Sequence, residues 1–144
     1  SHAEAIQLIG SGDASVGCTI GPRGISAKHG GAPIDVEYNQ GKLASDNWGL
    51  IRGVRNKKIA MEFINQATDP HAQAMIAKRV PYGPSNGGAF EFLSPAAAAD
   101  LNTSPENIKK QFWQNVAWWS KPGPGGQTPR EAQAARFARW MLNG

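Results

Sequence analysis

Glycine and proline make up 17 and 10 of the 144 residues, and they are clustered. The clusters lie at residues 21–24, 30–33, 81–88 and 122–126. Proline fixes φ and lacks an N–H, and glycine favours turns, so no long helix or strand can run through such points. The chain is therefore confined to short helices and short strands. Its hydrophobic fraction of 40% is enough for a core, and its length fits one ordinary domain. It has no run of about 18 apolar residues that could span a membrane.

Residues 3–9 read as helix, stopped by Gly10-Ser11-Gly12. Residues 14–20, with Val16 and Ile20, have the pattern of a buried strand. Residues 22–28 predict a short helix with Pro22 in its first turn. Ile34, Val36 and Tyr38 alternate with Asp35 and Glu37, the mark of a strand with one buried face. Residues 43–51 read as a further strand. The clearest helix places Ile59, Ala60, Phe63, Ile64 and Ala67 on one face, with Asn56 as its N-cap. Asp69 caps the next helix, with Pro70 first. Apolar residues 90–93 suggest a short helical turn. Ser94-Pro95 starts another helix, Ser104-Pro105-Glu106 opens one expected to run to about Ser120, and Thr128-Pro129 with Glu131 starts the last. Strands alternating with helices imply an α/β arrangement with some parallel pairing. A sheet of about three short strands is thin for a complete domain, which suggests a piece of a larger α/β protein.

The formal net charge is +4, with Lys and Arg scattered rather than striped. This weighs against a nucleic-acid partner. The single cysteine, Cys18, excludes an intrachain disulfide and reads as a small buried hydrophobe. His2, His29 and His71 lack metal-ligand spacing, so no metal or other cofactor is expected. No phosphate-binding loop is present, and Gly21-Pro22-Arg23-Gly24 reads as a turn. Asn102-Thr103-Ser104 matches a glycosylation sequon, a common triplet. A Cys18–His29 catalytic pair is conceivable, but nothing in the sequence supports it, so no enzyme is expected. The five tryptophans read first as core, and second as an aromatic wall for a ligand. Ser1-His2 reads as the scar of a cleaved tag, so the missing leader says little about location.

From Gly30 onward, several motifs occur in order. They are Gly30-Gly31-Ala32-Pro33-Ile34-Asp35-Val36; Ser45-Asp46-Asn47-Trp48-Gly49-Leu50; Asn56-Lys57-Lys58; Phe63-Ile64-Asn65; Asp69-Pro70; Pro81-Tyr82-Gly83-Pro84-Ser85-Asn86; Leu93-Ser94-Pro95; and Trp113-Gln114-Asn115. Together they resemble the polyamine (spermidine/putrescine) type of periplasmic solute-binding protein of ABC transporters. The match spans roughly residues 5–116 and is weakest in the last helix.

The resemblance implies the C-terminal part of a two-lobed α/β binding protein of type II, with incomplete lobes. Residues 1–45 would end a second-lobe segment. Residues 46–92 would hold a hinge-crossing strand and first-lobe helices, and residues 93–144 would return to the second lobe. The implied function is periplasmic capture of a small cationic or zwitterionic solute, delivered to an ABC transporter permease. Asp46 matches the carboxylate that meets a ligand ammonium, Tyr82 a cleft-lining aromatic, and Gln114 an amide that reaches the ligand. Where the family carries aromatics, this chain has Ala44 and Thr19-Ile20. Arg23, near that cleft edge, is suited to a carboxylate or phosphate, which points to a ligand bearing both charge signs. Weak ligand binding and self-association are expected of such a fragment. The alternative from another class is a small basic, Trp-rich module that binds nucleic acid or a glycan.

Overall fold

A computed structural model describes residues 1–143 and divides into two units. The first is Ser1–Phe112 and the second runs from Trp113 onward.

In the first unit, helix α1 (His2–Ser11) begins with a capping box between Ser1 and Glu4 and ends at Gly12 with φ +83°. A left-handed residue there is the usual glycine stop. Residues 14–20 follow without regular structure and lead into α2 (Gly21–His29), where proline occupies the first turn. α2 packs on α1. Gly24 is buried, and a Cβ there would stand 2.7 Å from Val36 Cγ2, so only glycine lets residues 34–38 lie so close. Lys28 Nζ meets Asp35 Oδ1 at 2.8 Å across the same junction.

The next helices are α3 (Lys57–Ala67) and α4 (Pro70–Ala77), which pack on each other. Asp69 caps α4, its carboxylate accepting from Ala72 N at 3.0 Å. A 3-10 helix, Gly87–Phe92, packs along α4 and buries Ala74 and Ala89 between them. The short helices α5 (Pro95–Ala99) and α6 (Pro105–Lys109) are capped by Ser94 and Ser104. Among the described residues the only sheet is a two-residue pair, β1 (Lys42–Leu43) with β2 (Phe112–Trp113). Ile25, Leu43 and Leu101 are the largest fully buried side chains. In the second unit, α7 (Val116–Ser120) packs on α8 (Pro129–Asn143). Thr128 and Glu131 form the expected capping box, with Thr128 N donating to Glu131 Oε2 at 2.8 Å and Glu131 N to Thr128 Oγ1 at 3.2 Å.

Several expectations are corrected. Residues 14–20 and 34–38 are not strands, and of 43–51 only Leu43 is in one. A strand requires a neighbour to bond its backbone, and these segments have none among the described residues. The alternation survives even so: Ile34, Val36 and Tyr38 are less exposed than Asp35 and Glu37. Side-chain period follows from the pleat of extended backbone, whether or not a ladder forms.

Cys18 is exposed, because it lies on one of these unpartnered segments. Asn56 precedes α3 but makes no capping hydrogen bond from its side chain. Its φ of −107° and ψ of 54° depart from the extended backbone usual for a capping residue. The helix expected from Ser104 to Ser120 breaks at residues 110–115, where Gln111 turns inward to bond Asn102 O and Asn107 O, and β2 intervenes. The tryptophans are not core: Trp48, Trp113, Trp118 and Trp140 are each more than half exposed. Ile59 and Phe63, on the apolar face of α3, are exposed as well.

Candidate functional site

A cleft of about 430 Å³ opens in the first unit. Ala3 and Ile6 from α1 form one wall, and Pro22, Arg23 and Ser26 from α2 form another. Val80 and Tyr82, from the stretch after α4, complete it. Most of this lining is apolar, and Arg23 brings the one formal charge. No ion pair among the described residues engages Arg23. A guanidinium so placed offers a planar fork of donors to a carboxylate or phosphate. Tyr82 is 48% exposed and presents an apolar ring with a polar tip.

The position of Tyr82 is set by amide side chains around its loop. Gly83 N donates to Asn102 Oδ1 at 3.1 Å, and Thr103 Oγ1 donates to Pro84 O at 2.9 Å. Further along, Gln73 Oε1 accepts from Asn86 N at 2.9 Å and Gln73 Nε2 donates to Ser85 Oγ at 3.0 Å. Asn86 Nδ2 donates to Thr68 O at 3.0 Å. Beneath these, Asn107 Nδ2 donates to Ala99 O and Leu101 O at 2.8 and 2.9 Å. Gly83 admits no side chain, since a Cβ there would overlap Asn102 and Thr103. Sequence reasoning missed Gln73, Asn86, Asn102 and Asn107. Most of their partners are backbone atoms six or more residues away along the chain, which no local pattern reveals.

The structure therefore brings Arg23 and Tyr82 to one cleft. Asp46 does not line it. It lies in the irregular stretch after β1, exposed, beside the exposed Trp48, whose ring meets Phe63 edge-on at 5.2 Å. Gln114 is half-buried and belongs to the second unit.

A second, more polar hollow of about 360 Å³ lies among His29, Lys78, Arg79, Asp100 and Leu101. There His29 Nε2 stands 2.7 Å from Asp100 Oδ2, linking the end of α2 to that of α5. Tyr38 donates its hydroxyl to Asp100 O at 2.8 Å. Burial, with the Asp100 carboxylate adding to it, pushes the Tyr38 phenol up to about 12. Among the described residues no helix is long and apolar enough to cross a membrane, and no group of acidic, His or Cys side chains could hold a metal.

No protein-family profile matches the chain. Over 134 residues it is 25% identical to the gamma-aminobutyric acid-binding protein of Pseudomonas aeruginosa, a match that covers 93% of the chain and 38% of that relative. It superposes on an ABC transporter substrate-binding protein from Bradyrhizobium japonicum USDA 110 with a TM-score of 0.79 and 34% identity, over 92% of the chain and 42% of that structure. An ABC transporter protein from Rhodopseudomonas palustris CGA009 gives 0.77 at 24% identity, covering 98% and 43%. The PBP MotA from A. tumefaciens B6, solved in complex with glucopine, gives 0.69 at 25% identity, covering 88% and 40%. The chain thus has the fold of part of an ABC transporter substrate-binding protein and spans less than half the length of each protein it matches.

Proposed function

We propose that this chain is part of the solute-binding component of an ABC importer, working in the periplasm, and that its solute is small and carries a carboxylate as well as an ammonium group. The observation that carries this reading is the meeting of Arg23 and Tyr82 on one largely apolar cleft. A guanidinium selects an anionic group, and an aromatic face favours a cation or a methylene chain. Gamma-aminobutyric acid, for which one relative is named, has both charges. A polyamine has no carboxylate for Arg23, so the amphoteric solute is favoured over the polyamine type.

Asp46 and Gln114 enter the proposal on the family resemblance alone, as the ammonium contact and a further polar contact. So does the division into lobes, with residues 46–92 assigned to the first. Function is then capture without chemistry. Lobe closure is a hinge equilibrium that ligand shifts by binding the closed state better, and the closed form docks on the permease. As part of such a protein, the chain binds solute weakly on its own and self-associates through surfaces that the rest would cover.

Calorimetric titration with gamma-aminobutyric acid and with putrescine tests the reading. Weak binding of the amino acid is expected, reduced by Arg23→Ala about 10- to 100-fold, the equivalent of a charged hydrogen bond worth roughly 1.5–3 kcal/mol. Binding of putrescine alone, or binding unaffected by the substitution, would overturn the amphoteric assignment.

A further inference from the structure

We infer that residues 34–38 act as a rail that aims Arg23 into the cleft, with Gly21, Gly24 and Tyr38 as its positioning residues. The inference rests on the role given to Arg23 above and adds what holds that side chain in place.

α2 has two sides. At about 100° per residue, Gly21, Gly24, Ile25 and Lys28 fall on one side and Pro22, Arg23 and Ser26 on the other. The second set lines the cleft. The first set meets the rail. Lys28 Nζ lies 2.8 Å from Asp35 Oδ1. A Cβ on Gly24 would stand 2.7 Å from Val36 Cγ2, and one on Gly21 would stand 3.3 Å from the Tyr38 ring. The contacts run in antiparallel order, Lys28 with Asp35, Gly24 with Val36 and Gly21 with Tyr38. Three extended steps from Asp35 to Tyr38 cover about 10 Å. Seven helical steps from Lys28 to Gly21 cover about 10.5 Å. The lengths match, so the segment lies along nearly the whole of α2.

The rail is tied down at its end. Tyr38 is buried, and its hydroxyl donates to Asp100 O at 2.8 Å. Asp100 Oδ2 stands 2.7 Å from His29 Nε2, so one residue clasps helix and rail together. These contacts are internal to the chain and do not depend on what covers its outer faces. Glycine weakens a helix interior, and Gly24 occupies one where the rail leaves no room for a methyl. That closeness fixes the rotation of α2. Turning the helix by one residue would carry Arg23 about 100° from the cleft, and a guanidinium fork bonds a carboxylate well only in the right plane. Gly24→Ala pushes α2 off the stiff, β-branched Val36 and so misplaces Arg23.

Titration with gamma-aminobutyric acid tests the inference in a cycle of parent, Arg23→Ala, Gly24→Ala and the double variant, each checked for folding by circular dichroism. Gly24→Ala should weaken binding about 10-fold, within the loss expected of Arg23→Ala. It should add nothing once Arg23 is gone, whereas a merely structural defect would weaken binding in either background. Val36→Ala should restore most of the affinity lost to Gly24→Ala. If Gly24→Ala does not fold, Gly21→Ala, with its milder contact to Tyr38, decides in the same cycle. An unchanged affinity, an equal loss in the Arg23→Ala background, or a loss that Val36→Ala leaves in place would overturn the rail and leave the role of Arg23 standing. No binding by the parent, or no effect of Arg23→Ala, would sink the amphoteric reading and the rail with it.

Discussion

At the scale of single residues, the loop that carries Tyr82 depends on groups that fit only one way. Gly83→Ala forces a methyl into Asn102 and Thr103. It should destabilise the chain by about 1–3 kcal/mol, as overpacking does, and thermal unfolding will register it as a lower midpoint. Tyr38 gives a second expectation. Its phenol titrates near 12 in the folded chain against 10.0 ordinarily, so the unfolded chain loses its proton first. The folded state then holds more protons than the unfolded one, and stability falls as pH rises from 10 toward 12. The loss is at most on the order of 2 to 3 kcal/mol, and less to the extent that solvent screens the phenolate. Alkaline unfolding of the parent should be steeper than that of Tyr38→Phe, which lacks the ionisable group and also loses the bond to Asp100 O.

At the scale of elements, helix starts were the most legible part of the sequence. Asp69-Pro70, Ser94-Pro95, Ser104-Pro105 and Thr128-Pro129 each join a cap to a residue pre-set for the first turn, and a helix begins at every one. Asn56 shows the limit, since a suitable residue type caps nothing when its backbone is wrong. The two sites therefore behave differently. Asp69→Ala should cost about 1 kcal/mol, whereas Asn56→Ala should stay within about 0.5 kcal/mol, both measured by denaturant unfolding. Strands were less legible, because a period of two records where side chains point and says nothing of a partner. Residues 34–38 keep that period without a ladder. Of the cleft lining, Arg23 and Tyr82 stand out in the sequence, one by charge and one by resemblance, while Ala3, Ile6, Pro22, Ser26 and Val80 carry no such signal. The amides that fix the Tyr82 loop act over distances that no local spacing encodes.

At the scale of the whole molecule, apolar surface outruns what 143 described residues can cover. Large side chains such as Ile51, Ile59, Phe137 and Leu142 are open to solvent, as are four of the five tryptophans. In the solved relatives the same fold is embedded in chains more than twice as long. Tryptophan emission should accordingly be red-shifted toward that of indole in water, and acrylamide should quench most of it without denaturant. Blue-shifted, protected emission from the monomer would show that these rings are covered after all. Exposed faces of this kind also bind hydrophobic dyes, and the dye signal should fall as self-association covers them.

The hydrogen bonds of Asn86 bear on how the chain ages. Asn86 is followed by Gly87, the pairing most open to spontaneous deamidation, because an unhindered backbone nitrogen can attack the side-chain carbonyl carbon. Here both ends of that side chain are occupied. Oδ1 accepts from Gly88 N at 3.1 Å and Nδ2 donates to Thr68 O at 3.0 Å, so the amide cannot swing toward the Gly87 nitrogen without breaking both. The chemical lifetime of this bond is thus tied to the fold. Conversion of Asn86 to aspartate, followed by mass, becomes a slow clock of how often the Tyr82 loop opens.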